Sequence, residues 1–172
     1  MSRPWGRRRG ARVICTSGTA VLLIADSDPG VPGSQWWVTP GGGIDDGEDL
    51  RAAARRELHE ETGLLVSGTQ LIGPVARRLV THGYSDRVRV QDEWFFRVEV
   101  TRFQPDPSAW TPGERQRLQG FAWHELDALP PHVWPAQLAQ LAVLGPDEFM
   151  DLGEMEESTV PVDGAGPAQR RL

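Results

Sequence analysis

Cysteine is almost absent. Cys15 stands alone among 172 residues, so no intrachain disulfide staples the chain, and its place in the apolar run "ARVICTSGTAVLLIA" marks a buried strand thiol rather than a nucleophile. That scarcity fits a reducing, cytoplasmic setting. Long hydrophobic runs are missing as well: "VLLIA" is far too short to span a bilayer, and the basic N-terminus (Arg3, Arg7, Arg8, Arg9) lacks the apolar stretch and cleavage site of a signal peptide. Nor is there an excess of positive charge. Eighteen Lys plus Arg stand against twenty-four Asp plus Glu, a net charge of −6, which argues against a partner held by the protein's overall field. No stable nucleic-acid or membrane partner is expected, and a phosphate ligand would need local cations or a metal ion. His82 and His124 lack metal-ligand spacing, and no Cys/His cluster offers a zinc site. No internal repeat is evident.

What is present is enough for one domain, because 39% hydrophobic residues in a chain of this length can bury a real core. Residues 1–11 read as a solvated basic arm, with contact between its arginines and an anionic ligand as the lesser alternative, 12–145 as the folded domain, and 146–172, which mix acids with Gly and Pro, as a mobile acidic tail. Within the domain, Arg12–Ala25 reads as one long strand or two about Ser17-Gly18, and "QWWVTP" as a short strand stopped by Pro40. A glycine-rich loop then feeds a helix from about Asp49 to Thr62, ended by Gly63 at a suitable C′ position. Leu64–Val80 is strand-like, "RVRVQDEWFFRVEVT" is a strong strand, "GFAWHELDAL" a strand running into a turn, and "AQLAQLAVLG" after Pro135 a second helix. Strands before, between and after two helices imply an α/β domain whose sheet is covered on both faces.

The helix carries the oddest feature. In "RRELHEETGL" three glutamates crowd into five residues, although like charges at helical spacing repel. Helical periodicity puts Glu57, Glu60 and Glu61 on the stripe begun by Leu50, Ala53 and Ala54, with Arg51, Arg55 and His59 on the far side. Inward carboxylates are stable only when paired or bound to a cation, and hard divalent ions such as Mg²⁺ or Mn²⁺ prefer oxygen ligands.

The stretch from Gly42 to Leu64 resembles the Nudix hydrolase family, whose box reads G-x5-E-x7-R-E-U-x-E-E-x-G-U with U a bulky aliphatic. All nine specified positions are present across these twenty-three residues: Gly42, Glu48, Arg56, Glu57, Leu58, Glu60, Glu61, Gly63 and Leu64. The resemblance implies the family's αβα sandwich with a mixed β-sheet between helices. It implies that Glu57, Glu60 and Glu61 bind Mg²⁺ or Mn²⁺, with Glu60 or Glu61 also handling the proton of the attacking water. By the same resemblance, Arg56 pairs with Glu48, the Gly41 carbonyl joins the metal shell, and a further carboxylate comes from outside the box. Glu114, in the loop before the last strand, is favoured for that place, with Glu93 beside Trp94 as its rival.

The implied reaction is hydrolysis of a P–O–P link in a nucleoside diphosphate joined to a group X, with metal ions neutralising the phosphate oxygens and activating water. A nucleotide-type diphosphate is the implied substrate and a monomer or homodimer the implied assembly. The alternative is a fold relative that binds a nucleotide without cutting it; the related diphosphate isomerase chemistry suffers from a poorly placed cysteine. Most of the eight residues Trp36, Trp37, Tyr84, Trp94, Phe95, Phe96, Trp110 and Trp123 are expected in the core. Arg77, Arg78, Arg87 and Arg89 either face phosphates or alternate on an exposed strand. No downstream signature marks a preference among group X.

Overall fold

The computed structural model describes residues 2–162. Two long strands, β1 (Trp5–Ser17) and β6 (Val88–Glu99), form its spine, pairing in parallel from Trp5↔Val88 to Thr16↔Glu99. Between them in the chain come β2 (Ala20–Asp26), β3 (Trp36–Val38), β4 (Gly41–Gly43), helix α1 (Leu50–Thr62), a 3-10 turn at Gly68–Gln70 and β5 (Ile72–Gly83). After β6 follow α2 (Pro112–Arg117), β7 (Gly120–Glu125), β8 (Val133–Trp134), α3 (Leu138–Leu141) and β9 (Met150–Glu156). The sheet is mixed, ordered β8-β3-β2-β1-β6-β5-β9, with β4 beside β1 and β7 beside β2.

Strand alternation sorts the core into two layers. Ala11, Val13 and Cys15 of β1 pack against Ala53, Ala54 and Leu58 of α1, while Ile14 turns to the other face with Val21, Leu23 and Leu138 and Leu141 of α3. Helices therefore cover both faces, as the α/β reading requires. Burial drives the Cys15 thiol up to about 12, the behaviour of a structural thiol.

Helix α1 starts and stops where the sequence places it. The Asp49 carboxylate caps the N-terminus by accepting from Ala52 N, and Gly63, at φ 77°, closes the C-terminus with its N–H on the His59 carbonyl. A left-handed C′ residue favours glycine because a Cβ would be strained there.

Three expectations need correction. The basic arm is strand from Trp5 onward, because β6 offers a long edge and Arg7 and Arg9 stay exposed while alternate residues turn toward the protein. The second helix is a single turn. The tighter Leu144 N–H to Leu141 O bond drops Leu144 into the core and leaves Val143 outside. The acidic tail is strand over Met150–Glu156, parallel to β5, with Met150 and Leu152 packed on the lower core. Beyond it, Glu157 N–H bonds the Thr81 carbonyl and Thr159 N–H the Gly83 carbonyl. Arg3 donates to the carbonyls of Tyr84, Val160 and Pro161, joining the two ends of the described chain. Residues 163–172 of the expected tail lie outside the described residues.

Candidate functional site

The site opens where β1 and β2 part. They pair only at Thr16↔Val21 and Ser17↔Ala20; beyond that β3 continues along β2 and β4 along β1. The link between β3 and β4 crosses this gap, held by Val13 N–H on the Pro40 carbonyl. A cleft of about 600 Å³ results, lined by Glu57, Glu61 and Gly41–Gly43 on one side and by Arg8, Arg12, Arg89 and Gln91, among others, on another.

Of the box acids, Glu57 and Glu61 are buried, as their stripe demands, and both line the cleft. Glu60 departs from the expectation: its side chain is 49% exposed, because it sits at the margin of the stripe, where small tilts of the helix decide burial. Gly42 explains how Glu57 fits. A Cβ on Gly42 would lie 2.7 Å from the Glu57 Cδ, so only a bare backbone lets the carboxylate lie there.

Arg56 organises the group. Its Nε and Nη2 donate to the two Glu48 oxygens (2.9 and 2.8 Å), Nη1 donates to Glu57 (2.9 Å) and Glu60 (3.2 Å), and Nη2 also reaches the Gly43 carbonyl (2.9 Å). The Arg56 hydrogen bonds hold the Glu48 carboxyl below its usual range, and forked pairing of this kind fixes orientation as well as charge. Glu57 is nevertheless pushed up by burial, against Arg56. Glu61 is pushed further, to about 8: burial dominates, the Gly41 N–H opposes it and the Glu57 charge adds to it. Among the described residues its carboxylate accepts one hydrogen bond, from Gly41 N–H at 2.9 Å.

Glu114 lines the same cleft from α2. One of its oxygens is used locally, accepting from Thr111 N–H at 2.8 Å in a capping box. Its helix is tied to the cleft wall by the Arg117–Asp26 ion pair. Glu93 is placed otherwise. It is 1% exposed, accepts from Arg12 Nε and Arg78 Nε (both 2.7 Å), and does not line the cleft. Burial alone would raise its carboxyl, but the two guanidiniums outweigh burial and hold it well below the usual range. Arg78 also meets Glu157, so a buried chain of charges runs from Glu157 through Arg78 and Glu93 to Arg12. Arg12 then donates to the Thr39 carbonyl (2.9 Å), just before the strand that carries Gly41.

The phosphate candidates divide. Arg78 is internal, Arg77 pairs with Asp92, and Arg87 and Arg89 line the cleft. His82 is buried with Nδ1 on the Glu157 carbonyl, and burial lowers it to about 3. Sequence reasoning preferred a solvated basic arm for Arg8, with contact to an anionic ligand as the lesser alternative, and read Arg12 as the start of a strand. The signal was a period-two row, Gly6, Arg8, Gly10 and Arg12, that reaches the cleft only through Arg8 and Arg12.

The donors suit a hard cation. Among the described residues no three His, Cys, Asp or Glu side chains form a ready ion cage. Glu57 and Glu61 instead offer a pair of buried carboxylates beside bare glycine backbone. Mg²⁺ typically takes one or two carboxylates and fills its remaining positions with water and substrate phosphate.

The chain is similar to several known proteins. The RNA pyrophosphohydrolase of Rhodopseudomonas palustris is 30% identical over 115 residues, covering 61% of this chain and 64% of that one. That of Agrobacterium fabrum is 33% identical over 115 residues, covering 61% and 66%; this chain thus matches just under two thirds of the length of these curated relatives. Among solved structures, the mutator MutT protein of Bacillus halodurans aligns with a TM-score of 0.57 at 19% identity, covering 88% of this chain and 91% of that one, which shows the shared fold. The model of the NUDIX domain matches residues 6–143, and the chain belongs to that family.

Proposed function

We propose that this protein hydrolyses a P–O–P link in a nucleotide-type diphosphate, using Mg²⁺ or Mn²⁺ held by Glu57 and Glu61. One observation carries the reading: Glu61, buried with a backbone N–H as the one hydrogen-bond donor to its carboxylate among the described residues, lines with the buried, Arg56-paired Glu57 a cleft that arginines also line. Uncompensated buried carboxylates are costly unless a cation joins them. A bound divalent ion supplies charge neutralisation at the phosphate oxygens and a more acidic water. The chain's own groups do the rest. Arg56 fixes Glu48, Glu57 and Glu60 relative to the Gly43 carbonyl, and Gly41 N–H orients Glu61. Glu60 or Glu61 handles the proton of the attacking water. Glu114 faces the same space from α2 and supplies the carboxylate from outside the box. The names of the relatives, RNA pyrophosphohydrolases, favour substrates with a terminal pyrophosphate over other members of the class.

The test is a chromatographic screen for nucleotide and phosphate products over nucleoside triphosphates, 5′-triphosphorylated oligonucleotides, ADP-ribose, dinucleoside polyphosphates and nucleotide sugars, with Mg²⁺, with Mn²⁺ and with excess chelator. Turnover of at least one substrate, abolished by chelation, is expected. Full turnover in chelator overturns the metal reading. Tight nucleotide binding without any turnover makes the protein a sensor.

A further inference from the structure

A buried row of charges crosses the sheet from its last strand to the cleft. Glu157, just past β9, pairs with Arg78 of β5, Arg78 Nε donates to one Glu93 oxygen at 2.7 Å, and the other accepts from Arg12 Nε of β1 at 2.7 Å. Strand pairing sets this order, because Arg78 lies opposite Glu93. The Glu157 backbone is pinned on both sides, its N–H on the Thr81 carbonyl and its own carbonyl beside His82 Nδ1 at 2.9 Å. Two guanidiniums and two carboxylates balance. Such a row is tolerated in the interior while each charge keeps its partner, and removing one leaves the rest short.

The row ends on the backbone of the site. Arg12 Nη1 donates to the Thr39 carbonyl at 2.9 Å, Val13 N–H holds the next carbonyl, that of Pro40, at 2.8 Å, and the residue after it, Gly41, gives its N–H to Glu61 at 2.9 Å. The stem of Arg12 also lies against Gly41, where a Cβ would come within 2.6 Å of the Arg12 Cγ. Gly41 N–H is the one hydrogen-bond donor to the Glu61 carboxylate among the described residues. A tilt of Arg12 therefore moves the group that aims Glu61. Charge-assisted bonds such as Arg12–Glu93 fix orientation as well as charge, so the tilt of Arg12 is set by what else Glu93 must hold.

We propose that Glu157 is a positioning residue for Glu61, acting through Arg78, Glu93 and Arg12, so that a segment beyond residue 143, where the match to the family's domain ends, sets the geometry of the site. This rests on the reading of Glu61 as a metal-binding carboxylate and adds to it the group that holds its donor in place. Without the Glu157 charge, Glu93 is the one carboxylate of the row, and Arg78 is drawn onto it in competition with Arg12. The Arg12 bond to the Thr39 carbonyl then shifts, Gly41 follows and Glu61 turns. Glu157 itself does not line the cleft, so its influence passes through the row.

The experiment compares Glu157→Gln, which removes the charge at nearly constant size, with Glu157→Ala, with the double variant Glu157→Gln/Arg78→Met, and with Glu154→Gln, an exposed acid of β9, as control. It is run at pH 8, where the Glu157 carboxyl, raised by burial to about 7, is largely ionised. In metal-free protein the NMR amide resonance of Gly41 reports its bond to Glu61 without any turnover. That resonance should move in Glu157→Gln, move further in Glu157→Ala and stay in place in Glu154→Gln. In the double variant it should return toward wild type, because Glu93 again belongs to Arg12 alone. Calorimetric binding of Mn²⁺ should weaken roughly three- to tenfold in Glu157→Gln, the range over which remote coupling acts. It should recover to within about twofold in the double variant, whereas two independent losses would add. If Glu157→Ala does not fold, the Gln variant and its double carry the test. A Gly41 resonance in Glu157→Gln no different from that in Glu154→Gln overturns the proposal, as does a double variant that binds Mn²⁺ more weakly than Glu157→Gln. A displaced and rescued Gly41 resonance in a protein that binds no Mn²⁺ supports the positioning role and overturns only the metal reading.

Discussion

Glu61 and Glu93 are both interior carboxylates, 4% and 1% exposed, yet they sit in opposite electrostatic states. Glu93 lies between two guanidiniums and is held ionised; Glu61 has a backbone N–H and a neighbouring acid, and is pushed to about 8. The desolvation is similar, so the partners decide. Glu93 is complete as it stands and Glu61 is not, and on the proposed reading this difference separates a structural carboxylate from one that receives a cation.

Replacing each by Gln should break the pair apart most visibly. Glu61→Gln is expected to fold, to lose roughly 10²–10⁴-fold in kcat, and to lose the rise in melting temperature that Mg²⁺ gives wild type, since a ligand stabilises only where it binds the native state. A Mg²⁺-induced shift equal to that of wild type would place the ion elsewhere. Glu93→Gln should do the reverse. It leaves Arg12 and Arg78 buried and short of a counter-charge, and loss of one partner from a buried pair costs about 3–5 kcal/mol. Urea unfolding measures this, and a loss below about 1 kcal/mol would show that the Arg12–Glu93–Arg78 chain does not hold the sheet together.

Titration sharpens the contrast. In metal-free protein the folded state keeps a proton on Glu61 up to about pH 8, whereas the unfolded carboxyl releases it near its ordinary 4.5. Between those values the native state binds more protons than the unfolded state, so stability falls as pH rises. Glu157, raised to about 7 by burial against Arg78, adds a slope of the same sign. Glu93, held low by its two arginines after burial is outweighed, contributes stability above its unfolded pKa that is lost only as pH falls below it. Stability from urea unfolding in chelator should therefore decline from pH 5 to pH 8 by several kcal/mol, up to about 6. Glu61→Gln should flatten that decline in part, leaving the share of Glu157. An unchanged slope would remove Glu61 as its source.

Much of the site was legible because it is local. The cap at Asp49, the glycine at C′, and the meeting of Arg56 with Glu48 and Glu57 all lie within Gly42–Leu64, where spacing along one helix and its entry loop sets the contacts. What was not legible depends on pairing across the chain. Arg7, Arg8 and Arg9 look like a solvated run until β6 supplies an edge some 80 residues away and sends only Arg8 into the cleft. Glu93 looks like a candidate ligand until Arg12 of β1 and Arg78 of β5 converge on it. The strand at Met150–Glu156 carries little hydrophobic pattern of its own and is defined by β5 and by the Arg78–Glu157 pair.

The smallest expected effect belongs to Glu60, which tests whether burial is the right ground for the comparison. It shares Arg56 Nη1 with Glu57 at 3.2 Å, in an i,i+4 pair with about half of its side chain in solvent. Exposed pairs of this type are worth a few tenths of a kcal/mol. Glu60→Gln also removes one like charge from beside Glu57, which offsets part of that loss. Metal-free stability should therefore stay within about 0.5 kcal/mol of wild type, and most of the Mg²⁺-induced rise in melting temperature should persist, unlike in Glu61→Gln. Melts of both variants with and without Mg²⁺ decide the matter. If Glu60→Gln erases the metal shift as fully as Glu61→Gln, the Glu60 carboxylate must leave Arg56 and swing inward when the ion arrives, and exposure in the metal-free protein does not sort ligands from bystanders on this helix.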